Sequence, residues 1–177
     1  TIAEAEAKGG SSFLLPMLAK DYKKEAKKVK FPCYVQPKLD GMRSLYDEGF
    51  ISRTGKAVDT LGHIVIPDTQ GLVLDGELYA HGISFQENMK LIKKYRKGQT
   101  EQVKYHVYDM VMDAPFSERY LKAKTLIQGL ENVELVHTMI IETEQELLDF
   151  HKESLAAGYE GTMIRHSEEG YQVNKRS

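Results

Sequence analysis

Lys38 is the side chain in this sequence best placed for covalent chemistry. It ends a short run of β character, Cys33 to Lys38, and Asp40-Gly41 follows one residue later. An amine attacks an electrophile only when neutral. A lysine of ordinary pKa, about 10.4, is neutral in fewer than about 1% of molecules at pH 7. Burial, neighbouring cations or a bound metal lower that pKa and make the amine usable. A strand end closed by an Asp-Gly hairpin turn would hold such a lysine on stiff backbone and leave a ligand room to approach. Alone, Lys-x-Asp-Gly is a weak signal. It arises by chance in roughly a few per cent of chains this size, and a surface hairpin turn is the plainer reading.

Other residue types extend the case. Asp40, Glu77 and Glu160 are three carboxylates that a fold could gather, and a magnesium ion shared with phosphate oxygens calls for carboxylates. Three unrelated surface acids are the alternative. Tyr108, inside an apolar run, offers either a platform for a nucleobase or ordinary core packing. Arg43 and Arg53 carry the planar fork suited to bidentate phosphate contact, although a solvated strand arginine is commoner.

Order along the chain decides among these alternatives. Gln36-Pro37-Lys38-Leu39-Asp40-Gly41-Met42-Arg43 is followed by Ser52-Arg53-Thr54-Gly55 and Asp75-Gly76-Glu77-Leu78. Tyr105-His106-Val107-Tyr108-Asp109 and Glu160-Gly161-Thr162-Met163-Ile164-Arg165 come after them. In this order they resemble the motifs of the covalent nucleotidyltransferases, above all the ATP-dependent DNA ligases, and the resemblance runs from about Pro16 to Ser177.

The resemblance implies that Lys38 takes AMP from ATP as a lysine phosphoramidate. It implies that Arg53 contacts the nicked strand near its 5′-phosphate, and that Arg43 serves both nucleotide and DNA. Glu77 would contact the AMP ribose, Tyr108 would stack on adenine, and Glu160 would be the metal-site carboxylate, with Asp40 and Glu77 completing the metal set. The fold implied is the α+β nucleotidyltransferase fold of DNA ligases and mRNA-capping enzymes, with mostly antiparallel sheets and flanking helices. ATP and Mg2+ are the implied cofactors, and nicked double-stranded DNA, bound by a monomer, is the implied partner. Phosphoryl transfer of this kind rests on positioning and charge neutralisation. Lys38 displaces pyrophosphate, AMP passes to the 5′-phosphate of a nick, and the adjacent 3′-hydroxyl displaces AMP as the strand is sealed.

Two features depart from the family pattern. The fifth motif, a pair of lysines soon after the fourth, is not matched, because Lys175-Arg176-Ser177 resembles the segment just ahead of it. The small C-terminal OB-fold domain of the family is absent as well. Residues 1–177 are therefore expected to be one adenylation domain that ligates poorly by itself. Two other functions compete. An mRNA-capping-type guanylyltransferase shares the Lys-x-Asp-Gly core, but Met42-Arg43 and Ser52-Arg53-Thr54-Gly55 tilt toward the DNA ligases. A nucleotide- and nick-binding module without turnover is the second.

The elements that must position these residues follow from periodicity. Strands are predicted at Cys33 to Lys38, Met42 to Asp47, Phe50 to Arg53, Leu72 to Ala80, Tyr105 to Met112 and Gly161 to His166, with Asp-Gly and Glu-Gly turns between the first three. Helices are predicted from Ser84, a suitable N-cap, to Lys97, and from Ser117 to Leu130. Thr143-Glu144-Gln145-Glu146 is a capping box that opens a helix stopping at Gly158. Residues 1–8 also have helical composition, broken by Gly9-Gly10-Ser11-Ser12. Clustered strands with intervening helices argue for α+β rather than a doubly wound parallel sheet.

Composition sets the outer bounds. With 177 residues, 41% hydrophobic and 28% charged, the chain suits one soluble domain with a sizeable core. No apolar run approaches the roughly 20 residues that span a bilayer. The first ten residues lack a secretory layout, and Cys33 is the sole cysteine, which fits a core position in a reducing, intracellular setting, cytoplasm or nucleus. Net charge is −2, yet basic residues cluster. Lys20, Lys23, Lys24, Lys27, Lys28 and Lys30 form one group, and Lys90, Lys93, Lys94, Arg96 and Lys97 another. Each is a candidate phosphate patch or the solvated face of a helix.

Overall fold

The computed structural model describes residues 28–166, 168 and 170–172. The expected helix at 1–8 and its Gly-Ser break, Lys20, Lys23, Lys24 and Lys27, and the Lys175-Arg176-Ser177 end lie outside the described residues.

The described elements run β1 (Cys33–Lys38), β2 (Met42–Tyr46), β3 (Phe50–Ser52), β4 (Ala57–Val58), β5 (Val73–Tyr79), α1 (Phe85–Lys93), β6 (Lys104–Val111), α2 (Phe116–Ile127), β7 (Val133–Leu135), β8 (Met139–Ile141), α3 (Glu144–Ala156) and β9 (Gly161–Arg165). They build a six-stranded sheet, ordered β4-β3-β2-β5-β6-β7, and a three-stranded sheet, ordered β8-β1-β9. Only β6 and β7 pair in parallel among the described strands. The α+β, mostly antiparallel class is as expected. No described helix is long and apolar enough to cross a membrane.

Each sheet has its own core. Leu74, Leu78, Tyr105, Val107 and Met110 of the large sheet pack with Leu91 and Ile92 of α1 and Ala123 and Ile127 of α2. Cys33 and Val35, alternate residues of β1, face Leu147 and Phe150 of α3, the inward pattern that strand and helix periods require. Cys33 is thus a core residue, and burial pushes its thiol pKa up. Helix starts are chemically marked. Ser84 Oγ accepts from Glu87 N, and Thr143 Oγ1 accepts from Glu146 N. In the capping box Glu146 reaches back to Glu142 N rather than to Thr143 N.

The structure corrects the hairpin expected at Asp40-Gly41. β1 and β2 lie in different sheets, so Leu39-Asp40-Gly41 is the crossing between them. The dipeptide that favours a hairpin does so through positive φ, and Gly41 does not adopt it. The turn at Glu48-Gly49 does join paired strands, β2 and β3, with Glu48 at φ 56. α1 ends at Lys93 rather than Lys97, because Lys94 turns extended.

Candidate active site

The strand crossing is where chemistry-bearing residues meet. β9 pairs antiparallel with β1 so that Lys38 lies opposite Gly161. One residue earlier, Glu160 N donates to Lys38 O at 3.0 Å. The Lys38 ammonium lies 3.5 Å from Glu160 Oε1, with both side chains nearly half exposed. Burial therefore does not isolate this lysine, contrary to one route considered for activating it, and its nearest charge is a carboxylate.

Past the crossing, Gly41 N donates to Glu77 Oε2 at 3.1 Å. A Cβ at Gly41 would sit 2.3 Å from Leu78 O and 3.1 Å from Glu77 Cγ. Close backbone approach, not a special φ, demands glycine there. Gly76 has a similar reason, since its Cβ would lie 2.4 Å from His106 O.

A cavity of 790 Å³ opens over this junction, and all seven residues singled out from the sequence line it: Lys38, Asp40, Arg43, Arg53, Glu77, Tyr108 and Glu160. Arg53 is exposed in the β3–β4 turn, which Gly55 N closes onto Ser52 O at 2.9 Å. Glu77 stands on β5, buried, with its carboxyl pKa pushed up to about 7 by desolvation. The Gly41 N–H, Arg43 and the Tyr108 hydroxyl partly offset that rise. Tyr108 is 8% exposed and its hydroxyl donates to Glu77 Oε1 at 3.2 Å. Its ring lies under two guanidinium groups, Arg165 at 5.1 Å and Arg43 at 5.7 Å. Each cation is attracted to the aromatic face beneath it, which helps fix the ring.

Arg43, expected at phosphates, is already engaged. Its Nε and Nη2 bind Asp75 bidentately at 3.1 and 2.6 Å, and the Tyr171 hydroxyl binds the same carboxylate at 2.6 Å. A phosphate at Arg43 would have to share or displace Asp75. The pairing holds the Arg43 pKa well above its usual value despite burial.

Sequence reasoning missed the charged layer beneath the cavity. Asp75 and Asp109 are fully buried and face each other across β5 and β6, where like charges repel. Each is answered from its far side. Arg43 takes Asp75, while Arg119 and Arg165 take Asp109 at 2.8 and 3.3 Å. Arg165 Nε also donates to Gln36 Oε1 at 2.8 Å, and Gln36 Nε2 donates to Tyr108 O at 3.0 Å. The small sheet is thereby tied to the strand that carries Tyr108. An ionisable residue in an otherwise apolar strand needs a buried partner, and that signal was present at Asp75 and Asp109.

The three carboxylates expected at a metal all line the cavity. Among the described residues, no three His, Cys, Asp or Glu side chains form a metal-holding group. Glu77 uses both oxygens on protein donors. Magnesium often takes only one or two carboxylates plus substrate phosphates, and the exposed pair Asp40 and Glu160 fits that pattern.

Known proteins resemble this chain in sequence and fold. A family model described as ATP dependent DNA ligase domain matches residues 16–177. A DNA ligase of Methanothrix thermoacetophila is 26% identical in an alignment of 121 residues that covers 59% of this chain and 21% of that protein. The solved DNA ligase-adenylate of Chlorella virus is 27% identical, with a TM-score of 0.75 over 92% of this chain and 63% of that one. A solved structure from a study of Lig E DNA ligases shares the fold at 21% identity, with a TM-score of 0.77 over 92% of this chain and 65% of that one. The chain spans about a fifth of the first relative and just under two thirds of the other two.

Proposed function

The chain belongs to the ATP dependent DNA ligase domain family, and from that premise we propose that it is the adenylation unit of such a ligase, with Lys38 as the nucleophile. The observation that carries this reading is the meeting of Lys38 and Glu160, 3.5 Å apart, in one cavity with Glu77 and Tyr108. The neutral Lys38 amine attacks the α-phosphorus of ATP. An N–P bond forms, the bond to the bridging oxygen of the β-phosphate breaks, pyrophosphate leaves with the electron pair, and the surplus proton on nitrogen passes to solvent. Glu160 orients the lysine before attack. Glu77, steadied by Gly41 N and Tyr108, faces the ribose, and Tyr108 supports the adenine from beside it.

A magnesium ion bound with the nucleotide, held by Glu160 and Asp40, would neutralise charge on the phosphate oxygens. Arg53, exposed at the cavity, contacts the 5′-phosphate of nicked DNA, which receives AMP before the strand is sealed. The test is incubation with ATP or GTP labelled in the α-phosphate. Label retained after denaturation from ATP alone supports adenylation. Label from GTP points to a guanylyltransferase, and ATP binding without covalent label points to a binding module.

A further inference from the structure

The second basic cluster runs onward from the cavity. Between residues 85 and 97 the sequence holds Lys90, Lys93, Lys94, Arg96 and Lys97 against a single acid, Glu87. Lys90, Lys93, Lys94 and Lys97 are exposed, because the inner face of α1 is occupied by Asn88, Leu91 and Ile92. None of the four makes an ion pair among the described residues. Lys93 lines the cavity together with Arg53 and Lys56, so the row begins where the site opens. Acids collect elsewhere: Glu142, Glu144, Glu146, Asp149 and Glu153 lie in and beside α3.

A solvated helix end is the plainer explanation, since cations near a helix C-terminus complement its dipole. That accounts for Lys90 and Lys93 in the last turn. It does not account for Lys97, which lies beyond the end of α1. Nor does it favour crowding Lys94, extended just past the helix end, close in sequence to Lys90 and Lys93, since like charges repel. A polyanion lying along the row would relieve that repulsion, and on a chain of net charge −2 such segregation orients the approach of an anionic partner.

We propose that Lys90, Lys94 and Lys97 form a phosphate track that continues from Lys93 at the cavity and holds duplex DNA away from the break. This rests on the ligase reading above. The test uses the 177-residue chain and nicked duplex DNA, with affinity measured by fluorescence anisotropy across a salt series. The triple variant Lys90→Gln, Lys94→Gln, Lys97→Gln is compared with a charge-matched triple on α2 and α3, Lys122→Gln, Lys124→Gln, Lys152→Gln. Each phosphate contact contributes about 0.9 to the slope of log K against log salt. The first triple should lower that slope by up to about 2.7 while ATP affinity stays unchanged, and the second should leave the slope alone. Equal losses in both triples, or no loss in the first, would overturn the track while leaving the ligase reading intact. A wild-type chain that binds ATP but no duplex at any salt would instead remove the DNA half of that reading, and the track with it.

Discussion

Lys38 and Glu160 are joined twice, once through backbone and once through side chains. The Glu160 N–H donates to Lys38 O at 3.0 Å, and Glu160 Oε1 lies 3.5 Å from Lys38 Nζ. Residues 122 positions apart in sequence are thus brought together by the register of a single strand pair. The backbone bond holds the two residues together, and the carboxylate pairs with the amine.

That division predicts the behaviour of Glu160→Gln. The backbone bond survives, and an ion pair this exposed contributes about 0–1 kcal/mol to stability, so thermal unfolding should barely change. Nucleotide attachment should slow roughly ten- to a hundredfold, the range for losing a charge-assisted contact of about 1.5–3 kcal/mol. Single-turnover labelling with ATP measures it. An unchanged rate would leave Glu160 with no part in the chemistry.

Glu77 gives the chain a pH-dependent stability. Its pKa of about 7 in the folded state lies above the ordinary 4.5, so between those values the unfolded chain loses a proton that the folded chain keeps. Stability therefore falls as pH rises through that window and levels off above about 7, by an amount on the order of a few kcal/mol. Glu77→Gln removes the titration, so its stability relative to wild type should rise between pH 5 and pH 8 in urea unfolding. Tyr108→Phe deletes a hydrogen bond that favours the ionised form and should extend the fall to higher pH. A difference between Glu77→Gln and wild type that is flat with pH would contradict this.

Gly41 in the sheet crossing and Gly49 in the hairpin should tolerate alanine unequally. Gly41→Ala drives a Cβ to 2.3 Å from Leu78 O and should destabilise by about 1–3 kcal/mol, as overpacking does. Gly49→Ala meets nothing within 4 Å and should fall within about 0.5 kcal/mol of wild type. Equal effects in denaturant unfolding would mean that the crossing relaxes freely.

The contrast between those glycines also shows what was legible in the sequence. β1 was readable to the residue because Pro32 precedes its β-favouring run and Asp40-Gly41 follows Lys38 closely, and the helix at 144–156 was marked by its capping box. β4, β7 and β8 were not, being two or three residues long and, unlike the equally short β3, not preceded by a Glu-Gly turn. Asp40-Gly41 and Glu48-Gly49 look alike as turn signals, and only tertiary pairing separates the sheet crossing from the hairpin. The seven cavity residues were found through motif order. Their support, the opposed Asp75 and Asp109 with three arginines, depends on register between distant strands, which local pattern does not carry.

Arg53→Ala should separate the two half-reactions. Its side chain is exposed in a turn, so AMP attachment to the enzyme should be spared. Transfer from pre-adenylated enzyme to nicked DNA should slow roughly ten- to a hundredfold, the scale of one phosphate contact. Equal loss in both steps would place Arg53 at the nucleotide instead.

The central claim is that Lys38 is the residue that becomes covalently bound to AMP. Its most direct measurement is peptide mass spectrometry of the chain after incubation with ATP and magnesium, alongside Lys38→Ala and Lys38→Arg. Wild type should carry AMP on the peptide containing Lys38. Both variants should carry none while unfolding normally, since a guanidinium stays protonated and cannot attack. AMP found on any other lysine, or retained in Lys38→Ala, would contradict the assignment.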